Sequence, residues 1–197
     1  MTIERLPGQH LSAETTDPSV LVTPDQSVFM CNYPQPCPVF VFRHFDSRPF
    51  IPTQITLWSK MHTESSHGYP VGQGLIFIAD SPIDLLDVAS AKQFEGFSKQ
   101  DFIAWKQNRY ETLGPEPLKP HEPIAFFDFG EQEKLDLDIH FRSSCRYVKV
   151  MPTGFREQPI NYATTEKFMD NICELQFFGV SGYEVETLLV EGGDSFD

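Results

Sequence analysis

Two small groups of residues in this chain have types and spacing that could do chemistry: His62 and His67 with Glu64 between them, and the pair Asp136 and Asp138. Two imidazoles and a carboxylate are zinc ligands, but a zinc centre needs three or four donors, and no further one is identifiable in that loop. Aspartates at alternate positions of a strand share one face, which could mimic a glycosidase dyad and equally describes a solvated hairpin. No GxSxG elbow, phosphate-binding loop or dinucleotide-binding glycine pattern occurs. The sequence therefore assigns no catalytic residue, no metal and no cofactor.

Recognition is better served. The segment 62–69 sets His62, His67 and Tyr69 among hydroxyls, and the segment 153–162 combines Phe155, Arg156 and Asn161. An aromatic face covers the apolar patch of a sugar or peptide, while guanidinium and amide groups supply directional hydrogen bonds. These six residues are the candidate ligand contacts, against the plainer alternative of solvated loops with Phe155 or Tyr69 tucked inward. Phe94, Phe97 and Trp105 form a second candidate surface, facing a partner protein or packing in the core.

The elements that must position these groups are mostly short strands. Apolar or alternating runs occur at 39–45, 54–60, 74–79, 124–129, 135–141, 146–151, 172–178 and 184–190, separated by Pro, Gly, Asp or Ser. Such spacing within 197 residues predicts a mainly β fold, an antiparallel β-sandwich or jelly roll. A helical insertion interrupts it over 81–113. Ser81-Pro82-Ile83-Asp84 and Ser98-Lys99-Gln100-Asp101 both have the order of a capped helix start, and Phe102, Trp105, Arg109 and Leu113 recur at helical spacing after the second. The prolines at 115, 117 and 120 return the chain to the sheet. Residues 1–25 read as an extended arm, 26–190 as the domain, and 191–197 as an acidic tail.

A net charge of −13 excludes a nucleic-acid surface, which needs basic groups to displace counterions, and disfavours anionic membranes. No run approaches the roughly 18 apolar residues that span a bilayer. The opening residues hold no apolar leader, so a cytoplasmic or nuclear setting is expected, and with it free thiols at Cys31, Cys37, Cys145 and Cys173. Cys31 and Cys37 could bridge in an oxidising compartment.

The order of Arg146-Tyr147-Val148-Lys149-Val150, a long loop, then Glu174-Leu175-Gln176-Phe177-Phe178-Gly179 resembles the close of a discoidin-like, galactose-binding-like sandwich, with the strands at 55–60 and 70–78 in matching places. The resemblance spans about residues 39–183. It includes galactose-binding modules of sugar-active enzymes and the DOC-type domains of ubiquitin-ligase assemblies. It implies a non-catalytic binding domain whose loops meet a protein partner, with a carbohydrate ligand or a scaffold role for the helical insertion as alternatives. The Ile-Arg tail of the DOC subunit has no counterpart at Ser195-Phe196-Asp197. The resemblance also implies that Tyr147 and Leu175 sit in adjacent strands facing a common interior.

Overall fold

A computed structural model describes residues 2–4, 29–32, 40–43, 48–59, 69–81, 92–140, 143–156, 172–175 and 177–184. These form ten strands, β1 (Thr2–Glu4), β2 (Phe29–Asn32), β3 (Phe40–Arg43), β4 (Phe50–Trp58), β5 (Tyr69–Ala79), β6 (Ala125–Asp128), β7 (Lys134–Asp138), β8 (Tyr147–Phe155), β9 (Ile172–Leu175) and β10 (Phe177–Glu184), and one helix, α1 (Lys99–Leu113). The larger sheet runs β1-β3-β8-β5-β9-β2, with β6 also paired to β5; the smaller runs β10-β4-β7. Every pairing is antiparallel except β5 with β9, a parallel contact of Tyr69 with Cys173 and Pro70 with Glu174.

The two sheets face each other across one core. Phe42, Ile76, Ile78, Phe127, Val148 and Val150 from the larger sheet meet Phe50, Ile55 and Leu57 from the smaller, with Leu135, Leu137 and Val180 closing the edges. Alternation along the strands explains the choice of side chains, because successive residues point to opposite faces. On β5 and β8 the opposite phase is buried too: Leu75, Phe77, Ala79, Tyr147 and Met151 form a second cluster with Phe94 and Phe102. Both phases of β5 therefore need apolar residues, which is why 74–79 reads as an unbroken hydrophobic run. Gly74 is required by this crowding, since a Cβ there would strike the Met151 carbonyl and lie 2.6 Å from the Phe127 ring.

The helical layer covers that second face. Ser98 caps α1, its side chain accepting from the Asp101 amide while the Asp101 carboxylate accepts from the Ser98 amide at 2.9 Å. Phe102 and Trp105 then project toward the sheet one turn apart, and Phe94 packs edge-to-face against Phe77, Phe97 and Trp105 at 5.7, 5.1 and 5.6 Å. Each such pair contributes about 0.5–1.5 kcal/mol beyond its area. Arg109 fastens the proline-containing return to the helix, donating to the carbonyls of Glu116 at 2.7 Å and Pro117 at 2.9 Å and pairing with Glu122 at 3.2 Å.

The fold class read from the sequence stands, and several details differ. Tyr147 and Leu175 are not in adjacent strands, because β5 lies between β8 and β9 in the same sheet. The run 172–178 is two strands in two different sheets, and residues 2–4 of the expected arm pair with β3. The rest of that arm up to residue 25, the first capped segment from Pro82 to 91, Cys37 and the tail at 191–197 lie outside the described residues.

Candidate functional site

Arg156 follows β8 and lies at one end of the sandwich, where the chain leaves three elements in turn. Its guanidinium donates to the carbonyl of Ser59 at 3.0 Å, to that of Gly130 at 3.2 Å and to that of Gln132, and it stacks over the Phe129 ring at 4.7 Å. Its own amide donates to the Pro70 carbonyl at 2.9 Å. Ser59 is held in the same knot, its amide donating to Glu133 O and its hydroxyl to Val71 O at 2.6 Å. Arg156 is 4% exposed. Arg156, a candidate ligand contact in the sequence, thus sets its two terminal guanidinium nitrogens against three main-chain carbonyls and ties the roots of the rim together.

Of the other candidate contacts, Phe155 is half-buried against the sandwich core. Tyr69 begins β5, with its side chain outside the described residues, as are His62, His67 and Asn161. The trio Phe94, Phe97 and Trp105, read in the sequence as facing a partner or packing in the core, lies in the cluster under the helical layer. Phe94 is 1% exposed, and Phe97 and Trp105 pack against its cluster, because the larger sheet would otherwise leave Leu75 and Phe77 open to water.

A second surface is formed by the smaller sheet, whose outer face carries no layer among the described residues. Along β4 the inward phase is Ile55 and Leu57, both fully buried, and the outward phase is Gln54, Thr56 and Trp58. β7 repeats the pattern, Leu135 and Leu137 inward and Lys134, Asp136 and Asp138 outward. The register sets Gln54 opposite Asp138, Thr56 opposite Asp136 and Trp58 opposite Lys134. Three side-chain bonds tie the strip together: Gln54 Nε2 donates to Asp138 Oδ1 at 3.2 Å, Thr56 Oγ1 to Asp136 Oδ1 at 2.7 Å, and Lys134 Nζ to Asp136 Oδ2 at 2.7 Å. Trp58 heads the strip with 38% of its surface exposed.

Electrostatics decide what this strip can do. The Lys134 ammonium and then the Thr56 hydroxyl hold the Asp136 carboxyl below its ordinary range. A glycosidase acid needs the opposite, a carboxyl kept protonated by apolar surroundings, so Asp136 does not fit the role of general acid. Among the described residues no group of three or more His, Cys, Asp or Glu could hold a metal ion. What remains is an indole edge beside a flat row of amide, hydroxyl, carboxylate and ammonium groups, which can stack on one face of a ligand and hydrogen-bond its rim. In the sequence Trp58 falls within the strand run 54–60, outside the candidate contacts. The available signal was its phase, since it falls with Gln54 and Thr56 in the polar half of the alternation.

No family model matches the sequence, and no curated protein matches it. Solved structures do. A fragment, residues 298–461, of a protein assigned as a chitobiase from Bacteroides thetaiotaomicron superposes with a TM-score of 0.50 at 7% identity, covering 87% of this chain and 78% of that one. CBM32-1 from a family 31 glycoside hydrolase of Clostridium perfringens gives 0.47 at 14% identity with 93% of each chain covered, and a fucose-binding module of Streptococcus pneumoniae gives 0.46 at 10% identity, covering 90% of this chain and 88% of the other. At such identities the likeness is one of fold: the chain is a mainly antiparallel β-sandwich.

Proposed function

We propose that this chain is a non-catalytic carbohydrate-binding domain, which takes a sugar against the outer face of its smaller sheet. The observation that carries the reading is Trp58, an exposed indole heading a planar row of hydrogen-bonding groups on a rigid strand. A pyranose has one apolar face and a rim of hydroxyls, and this surface offers a partner for each. The strands place the groups without ordering a loop, which lowers the entropic cost of binding. The fold is also the one that galactose-binding modules of sugar-active enzymes resemble.

A glycan array followed by calorimetric titration of the best ligand tests it. Trp58→Ala should weaken binding about tenfold, the loss of roughly 1–2 kcal/mol of stacking. Thr56→Val should weaken it less. An array silent toward neutral and acidic sugars at millimolar concentration, or a Trp58→Ala protein that binds as tightly as the parent, removes the proposal.

One observation favours a second reading, recognition of a protein partner. Ile103, Tyr110 and Leu113 on α1 are 55%, 63% and 37% exposed, on a helix otherwise fixed to the core through Phe102. With the resemblance to DOC-type domains this supports a recruiting role in a ubiquitin-ligase assembly, in the cytoplasm or nucleus. Co-purification from cytosol that Tyr110→Ala abolishes and Trp58→Ala leaves intact would favour it over sugar binding.

A further inference from the structure

The larger sheet ends in a ribbon of two four-residue strands. β2 pairs with β9 in the register Phe29 to Leu175, Met30 to Glu174, Cys31 to Cys173 and Asn32 to Ile172. This ribbon joins the sheet through the two-residue parallel contact of β9 with β5. Two-stranded ribbons are marginal in water unless something else ties them down. The two cysteines are directly opposed register partners in this antiparallel pair. Opposed residues in such a ladder have Cα atoms roughly 4.5 or 5.5 Å apart, depending on the site, and disulfides span Cα separations of about 4.4–6.8 Å.

We propose that Cys31 and Cys173 form a cross-strand disulfide when the chain meets a small-molecule disulfide such as oxidised glutathione, locking β2 to β9. The thiolate of one cysteine attacks a sulfur of the small disulfide, forming a mixed disulfide and releasing one small thiol. The thiolate of the other then attacks the protein sulfur of that intermediate and releases the second. Two protein thiols are oxidised and one small disulfide is reduced to two thiols, so electrons and protons balance. The bond closes a loop of about 140 residues, and long loops restrict the unfolded chain most. Of the two other cysteines, Cys145 is fully buried on the sandwich core, with no exposed thiolate to compete. Cys37 lies six positions from Cys31 in sequence and is the competitor that the experiment must separate. This modification is independent of what the sheet face binds.

The test uses the full chain equilibrated in glutathione buffers from reducing to oxidising, quenched by alkylation and mapped as peptides without reduction. The expected result is one linked pair containing Cys31 and Cys173, and a melting midpoint about 5–10 °C higher in the oxidised protein. Cys37→Ser should keep both the link and the shift, and Cys31→Ser and Cys173→Ser should each lose both. A dominant link between Cys31 and Cys37 would overturn the proposal. So would a folded parent protein whose Cys31 and Cys173 remain fully alkylated in the most oxidising buffer; the map of the parent decides the question even where a serine variant fails to fold.

Discussion

Replacing Arg156 by alanine should cost about 3–5 kcal/mol of folding stability, the range seen when one member of a buried charged network is removed. The figure follows from what the guanidinium does. Three carbonyl oxygens, of Ser59, Gly130 and Gln132, accept from it, and hydrogen bonds to charged groups contribute about 1.5–3 kcal/mol each. The stacking on Phe129 adds up to about 2 kcal/mol. Against that gross stabilisation stands the desolvation of a cation at 4% exposure, several kcal/mol in its own right, which brings the net into the range given. Lysine should recover little of the loss, because a single ammonium cannot reach three carbonyls with the spread of a planar fork. Urea unfolding, followed by tryptophan fluorescence and by far-ultraviolet dichroism, measures the change; the midpoint should fall with the slope unchanged. A loss below about 1 kcal/mol, the level of an ordinary surface substitution, would refute the burial argument and return Arg156 to the role of a ligand contact.

Four further outcomes are expected. Gly74→Ala should destabilise by about 2–3 kcal/mol or prevent folding, since its Cβ meets the Met151 carbonyl and the Phe127 ring; a neutral effect in thermal unfolding would mean that β5 and β8 are spaced more widely than described. Ser98→Ala should cost about 1 kcal/mol through loss of the α1 cap. The Asp101 carboxyl is held below its ordinary value by its bonds from Ser98, so its contribution is present above the unfolded carboxylate value and is lost as pH falls through the lower folded one. A stability gap between parent and Asp101→Asn that stays constant down to pH 2 would contradict this. The Cys145 thiol is pushed up to about 12, first by burial and then by the nearby Asp80 charge. It should resist alkylation in the native protein at pH 8, and the stability it supports should erode as pH rises above 9.0, where the unfolded thiol ionises. Rapid labelling without unfolding would show that the site opens locally.

Local signals in the sequence carried the fold a long way. The Ser98 capping order placed the start of α1, alternation placed the cores of β4, β7 and β8, and an unbroken apolar run placed that of β5, because each is a statement about neighbours in the chain. Sheet membership is not local. Leu175 and Phe177 are two positions apart and belong to different sheets, a choice made by which distant edge each strand finds. β1 and β2 are three and four residues long in polar, proline-containing sequence, too short for a period to register. The candidate site was legible in part. Trp58 and its polar phase-mates could be read from β4 alone, whereas the burial of Arg156 depends on carbonyls from segments 24 and 97 positions away, which no spacing within its own loop discloses.

The hydrogen bonds described above from the Arg156 guanidinium end on main-chain oxygens, beside its contact with the ring of Phe129. Carbonyls are present whatever residue supplies them, so the connections rooted there are free to change composition while their anchorage stays the same. Gly130 is the exception, because its φ of 52° is one that few other residues adopt. Descendants of this chain, or segments grafted by an engineer after Ser59 or beyond Arg156, inherit a ready-made mounting that asks almost nothing of the cargo.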